Sequence, residues 1–309
     1  MVGTIEVSDE YVSACKGAQR AVRYLLLADN AAAALGAPLA RLAAHDAATY
    51  DSITRTGGPN GTIRVERELA RPENAGLEPA LRALEVVKSK FDAVTYADLI
   101  QIAGATAIEM VGGPIIDVRV GRKDSKACPP SGRVPDGSKG PEAVKKAFLR
   151  TGLSASEAAA LLGGMQFGAP AAGKGTGALS MDPLDLGTAY LAKVTAAPAE
   201  DPITELLQQD DEMRQCVTRW QEDGDAFLAD FGAAFKKLSE VGCKDLVRQV
   251  KGAARAAAST KKERPATASA GDMSFGSLAQ VLEDPYMLAG AAVAAGAAYF
   301  FLRRRKTKA

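Results

Sequence analysis

Histidine is almost missing from this chain: His45 is the one imidazole in 309 residues. Any mechanism that needs two imidazoles is closed, which removes multi-His zinc centres, bis-His haem ligation and paired-His acid/base catalysis. No metal site is expected. Cysteine is scarce too, and Cys15, Cys128, Cys216 and Cys243 lie far apart with no CxxC. A zinc ribbon or dithiol motif therefore has no support, and reduced, buried thiols are the ordinary reading. Redox sensing through the four thiols rests on their presence alone. Net charge is nearly absent, with 38 basic residues against 37 acidic ones. Without a concentrated basic face, nucleic acid is not an expected partner. The first residues hold no apolar leader and no Arg/Ser-rich amphipathic presequence, since Glu6, Asp9 and Glu10 arrive too early for either.

What is present is helical periodicity. Tyr11, Cys15, Ala18, Val22 and Leu25 fall on one stripe, and similar stripes recur over 38–49, 78–90, 96–110, 141–150, 154–163, 184–193 and 210–240. The pattern predicts an all-α domain over 1–250. Gly- and Pro-rich loops punctuate it at 56–61, 112–114, 128–140 and 168–177, and no internal repeat is visible. Residues 251–280 turn to Ala, Ser, Thr, Lys and Pro, the composition of a solvated linker. Residues 281–309 then carry an uncharged, mostly apolar run from Tyr286 to Leu302, closed by Arg303, Arg304, Arg305, Lys306 and Lys308. Those five cations sit against a total of +1, so the rest of the chain is at −4. At ~1.5 Å rise per residue the run reaches ~25 Å, near the lower limit for a ~30 Å hydrocarbon core, and flanking Arg side chains can snorkel to extend it. A core helix of that length would have to return to a domain already complete, so a single membrane-spanning helix over 286–302 is preferred. Its small residues suit packing against another membrane helix as well as simple anchoring.

Arg41 and His45 are four residues apart and so share one helix face. A guanidinium beside a titratable base suits peroxide cleavage: the imidazole takes the proton from one oxygen and returns it to the other, while the cation stabilises the developing charge. Spacing alone serves a surface or capping pair more often.

The surrounding words say more. RLAAHDAATYD (41–51), TGGPNGTIR (56–64), ENAGL (73–77), YADLIQIAGATAIEMVGGP (96–114), GRKDSKACPPSGRVPD (121–136) and DAFLADFGAAFKKLSEVG (225–242) run in order along the chain. Together they resemble the ascorbate peroxidases of the class I haem peroxidase family, from about residue 8 to about 250, and the basic-ended C-terminus is similar to that of membrane-bound members. The resemblance implies the all-α haem peroxidase fold. It implies Arg41 as distal arginine, His45 as distal base, Asn74 as the side-chain carbonyl that holds the His45 Nδ1–H, and Glu68 as the acid of the same motif. Ala44 stands where the family has an indole over the haem.

On the other face of the expected haem the departures accumulate. AALLGGMQFG (159–168) puts Met165 at the position of the iron-ligating histidine, Leu179 falls at the proximal tryptophan, and Trp220 is too far along to replace it. The orienting aspartate aligns near Thr204. Where an arginine would hold ascorbate, Lys174 is the only cation, and the cation loop keeps Ser180, Asp182 and Asp185 but has Gly187 in an acid position. Met165 either ligates haem iron opposite His45, as methionine does in cytochromes, or fills the space an imidazole has left. A ligand lost together with its supporting shell reads as a released constraint.

The resulting expectation is a catalytically degenerate, ascorbate-peroxidase-like subunit with a structural or interaction role in an organelle membrane complex, a respiratory one among the candidates. No cofactor is expected on this reading. The alternative is a haem b protein that still reduces hydrogen peroxide through Arg41 and His45 with a non-His proximal ligand. Partners implied are the membrane, proteins of the host complex, and a second copy or related paralogue. The mitochondrial inner membrane is preferred over peroxisome, chloroplast and endoplasmic reticulum.

Overall fold

Residue 8 begins the first helix because a serine there can satisfy an amide the helix leaves open: Ser8 Oγ accepts from Tyr11 N at 3.2 Å, and Asp9 and Glu10 set negative charge on the positive end of the helix dipole. The computed structural model describes residues 2–165, 191, 194, 199 and 202–249. Chain order gives α1 (Asp9–Leu27), α2 (Asn30–Ala33), α3 (Gly36–Ala48), α4 (Glu66–Leu69), α5 (Glu78–Lys88), α6 (Tyr96–Met110), α7 (Pro141–Arg150) and α8 (Ala155–Met165). Then come α9 (Pro202–Gln209), α10 (Asp211–Glu222) and α11 (Gly224–Glu240). The predicted stripe over 210–240 is two helices, because Asp223 leaves helical geometry and caps the second with its own carboxylate on Ala226 N at 3.0 Å. Two short strands qualify the all-α expectation: β1 (Arg119–Val120) pairs antiparallel with β2 (Val247–Arg248), joining the chain after α11 to the body.

Two helix pairs form the core. The α3 and α6 backbones approach closely through small residues: a Cβ added at Gly104 would lie 2.4 Å from that of Ala43. Likewise α8 meets α11 through Gly163 and Gly164, where a Cβ on Gly164 would strike the Phe231 ring at 2.4 Å. Trp220, Phe227, Phe231 and Phe235 follow one another with ring centroids 5.4, 6.0 and 6.4 Å apart, and Trp220 Nε1 donates to Asp230 Oδ2 at 2.8 Å. A fully buried ion pair locks the frame. Asp98 of α6 takes Arg122 Nη1 at 2.8 Å, Tyr11 Oη at 2.7 Å and the amide of Gly121 at 2.6 Å, while the Arg122 guanidinium also donates to Ser239 O. Such a pair stabilises only when every donor and lone pair is answered, and here α1, α6, β1 and α11 all contribute.

Among the described residues no helix is long and apolar enough to cross a membrane. The linker and anchor expected at 251–280 and 281–309, with the span at 286–302, lie outside the described residues, as do Leu179, Lys174, the cation loop and most of the 184–193 stripe.

Candidate functional site

The α3 segment that carries Arg41 and His45 is fixed at its C-terminal end and by the loop that follows. At its C-terminus the last carbonyls have no intrahelical partners. Arg150 Nη1 donates to Tyr50 O at 2.7 Å and its Nη2 to Ala48 O at 3.0 Å, while Arg133 Nη1 donates to Thr49 O at 3.1 Å. Two guanidiniums thus cap the negative end of the helix dipole. The following loop is held by Asp46, whose carboxylate accepts from Gly61 N at 2.9 Å and Ile63 N at 3.4 Å. Its glycines are structural: Gly57 has φ +74°, and a Cβ there would lie 2.3 Å from Thr49 O.

Arg41 and His45, one turn apart, are gripped by consecutive residues of another segment. Arg41 Nη2 donates to Glu73 O at 2.9 Å, and His45 Nδ1 lies 3.0 Å from Asn74 Oδ1. Asn74 is itself oriented, since its Nδ2 donates to Glu68 O at 2.8 Å. An amide oxygen can only accept, so His45 carries its proton on Nδ1 and its Nε2 is the basic nitrogen. That nitrogen is covered: Arg41 Nε donates to it at 3.3 Å. Burial, then the charge of Arg41, push the His45 imidazole down to about 3, against the upward pull of Asn74. The imidazole is therefore neutral, the state a general base requires, with its lone pair held by the neighbouring guanidinium.

Two buried carboxyls adjoin this network. Burial raises Asp46 to about 7 and raises Glu68 as well; the Glu68 charge adds to the rise at Asp46, and the Glu73 charge to that at Glu68. Among the described residues neither buried Glu68 oxygen makes a hydrogen bond of ordinary geometry, and its link to the site runs through its backbone carbonyl. The sequence identified Arg41, His45, Asn74 and Glu68 and missed Asp46, although it directly follows His45; its HD pairing was the available signal. It also missed the roles of Arg133 and Arg150, whose partners are main-chain carbonyls 84 and 102 residues away.

Met165, at the expected proximal position, ends α8 and is buried. Thr204, where the orienting aspartate aligns, is buried in the first turn of α9. Burial pushes Cys15 up to about 12 and Cys243 to about 11, and raises Cys128 and Cys216, so none of the four is held as a thiolate. Among the described residues no group of three or more His, Cys, Asp or Glu could hold a metal ion.

A family model described as peroxidase matches residues 18–223. The chain is 40% identical over 242 residues to L-ascorbate peroxidase 3 of Arabidopsis thaliana, covering 76% of this chain and 83% of that protein. It is 39% identical to probable L-ascorbate peroxidase 3, peroxisomal, of Oryza sativa subsp. japonica, covering 76% and 82%. The cytosolic L-ascorbate peroxidase 2 of the same rice is 37% identical, covering 76% of this chain and 95% of that protein. These matches correct the expectation of no cofactor, because ascorbate peroxidases are haem-binding enzymes. The residues present fit haem unevenly. Arg41, His45 and Asn74 form one hydrogen-bonded network in which both His45 nitrogens are engaged, and the buried Met165 thioether, a known haem-iron ligand type, is the soft donor at the position where the sequence expects the iron ligand.

Proposed function

This chain belongs to the peroxidase family, and we propose that it is a catalytically degenerate, ascorbate-peroxidase-like subunit of an organelle membrane complex. The observation that carries the reading is a contrast: the Arg41–His45–Asn74 network is complete, while a buried thioether, Met165, occupies the position that the family resemblance gives to the iron-ligating imidazole. Haem in a peroxidase supplies the iron at which the O–O bond is cleaved. The chain's own residues would orient the peroxide through Arg41 and accept its proton at His45 Nε2, and in this structure the first of these groups closes the second.

The run over 286–302 is proposed to hold the protein on the membrane, with a second copy or a related paralogue and proteins of the complex as partners. The peroxisomal and cytosolic names of the relatives give the mitochondrial inner membrane no support and favour the peroxisome among the organelles.

The test is ascorbate oxidation by hydrogen peroxide with the full chain in detergent, reconstituted with haem, against Met165→His. General acid–base machinery of this kind is worth about 100-fold or more, so the natural chain is expected near the rate of free haemin and Met165→His about 100-fold above it. The intact Asn74–His45 orientation favours one second reading, residual peroxide reduction. A natural rate far above haemin and abolished by His45→Ala establishes that reading and overturns degeneracy.

A further inference from the structure

Outside the site, the most exposed large apolar side chain among the described residues is also one of the most firmly placed. Ile53 is 88% exposed at the tip of the 51–56 turn. Asp51 Oδ1 accepts from Ile53 N at 3.0 Å and Thr54 N at 2.8 Å, Asp51 N donates to Thr56 O at 2.9 Å, and Arg133 clamps Thr56 O and Oγ1. Ser52 N donates to Arg150 O at 3.0 Å, which fixes the turn against the end of α7. An isoleucine held in water on a hydrogen-bonded turn gives nothing to the core, and a turn whose backbone is already ordered loses little backbone entropy on docking.

Between that turn and α7 runs a groove of about 1010 Å³. Leu149, 41% exposed, is its second apolar wall. Ala143 and Ala147, one helical turn apart, leave the α7 side shallow. The lining holds four cations, Arg133, Lys145, Lys146 and Arg150, against two carboxylates, Asp51 and Glu142. Arg133 lies 3.7 Å from Asp51 and Lys145 2.5 Å from Asp210, and Arg150 spends its donors on main-chain carbonyls, which leaves the exposed Lys146 as the lining cation that makes no ion pair among the described residues.

We propose that this groove docks an acidic helix of a protein partner, which sets an apolar side chain between Ile53 and Leu149 and a carboxylate against Lys146. Charge complementarity fixes the sign of the partner, and the apolar pair at the centre with cations around it is the anatomy of a small interface. The proposal deepens the interaction role given above and rests on that part of it.

The test uses the full chain in detergent micelles and a fluorescent synthetic helix with leucines on one face flanked by glutamates, followed by anisotropy. A second peptide has lysine at every glutamate. Saturable binding of the acidic helix is expected, weakened at least about tenfold by Ile53→Asp and by Lys146→Glu, reduced by salt, and absent for the lysine peptide. Both positions are exposed, so neither change threatens folding. The proposal is overturned by no saturable binding, by equal binding of the lysine peptide, or by binding that both variants leave intact. Self-association lost in Ile53→Asp overturns it in favour of a second copy. The assay reads no turnover, so its failure leaves the Met165→His result standing, and the reverse holds.

Discussion

The two faces of this domain present different things. Around α3 packing and a polar network occur together: the Ala43–Gly104 contact, the Arg133 and Arg150 caps and the Asp46 brace all serve a helix that presents Arg41 and His45. Around α8 the described contacts are those of packing. Gly163 and Gly164 seat against Phe227 and Phe231, and the last described residue of the helix is the buried Met165. A scaffold is stabilised by contact area whatever its side chains do in a reaction, so a reacting group can be replaced while its helix stays in place.

The comparison can be broken most severely by attacking what both faces share. Asp98→Ala leaves Arg122 charged, buried and unpaired, and is expected to cost about 3–5 kcal/mol in urea unfolding. A loss below about 1 kcal/mol would mean that the ion pair is not what joins α1, α6 and α11.

A sharper contrast comes from adding one methyl group to either face. Gly104→Ala and Gly164→Ala both overpack, each at roughly 1–3 kcal/mol. At Gly104 the obstacle is the Ala43 Cβ, which cannot rotate away, and at Gly164 it is the Phe231 ring, which can tilt. The larger loss is expected at Gly104, measured by the same unfolding curves; a larger loss at Gly164 would show the α8–α11 side to be the stiffer one.

The last effect is electrostatic and carries a sign. His45 is depressed from 6.5 to about 3, so between those values the unfolded chain binds more protons and acid removes stability. Asp46 is raised from 3.8 to about 7, so over that window the folded chain binds more protons and acid adds stability, with Glu68 acting in the same direction. The two neighbours oppose each other. Relative to the natural chain, His45→Ala is expected to tilt stability upward on acidification from pH 7 to 4 and Asp46→Asn to tilt it downward, each by at most ~1.4 kcal/mol per pH unit. Equal tilts from both variants would show that the pair is not buried as described.

Much of this was legible in the chain itself. The stripe through Tyr11, Cys15, Ala18, Val22 and Leu25 needs only helical geometry and a core, and all five are buried. The break at Asp223 was not, because a capping aspartate and a helical one look alike until the following amides turn toward it. The Arg41/His45 spacing and its partner Asn74 could be placed by their resemblance to a family pattern, and the structure brings the three together.

The sequence by itself therefore determined the helical class and the family, since those depend on local periodicity and on words read in order, and it singled out Arg41, His45, Asn74 and Met165 as the residues to examine. Only the tertiary structure decided that Arg41 rests on His45 Nε2, that Asp46 is buried beside it, that two arginines cap α3 from far along the chain, and that Ile53 faces a cationic groove. Each of these depends on which carbonyls, amides and charges meet across the fold, and no periodicity in the chain encodes those meetings.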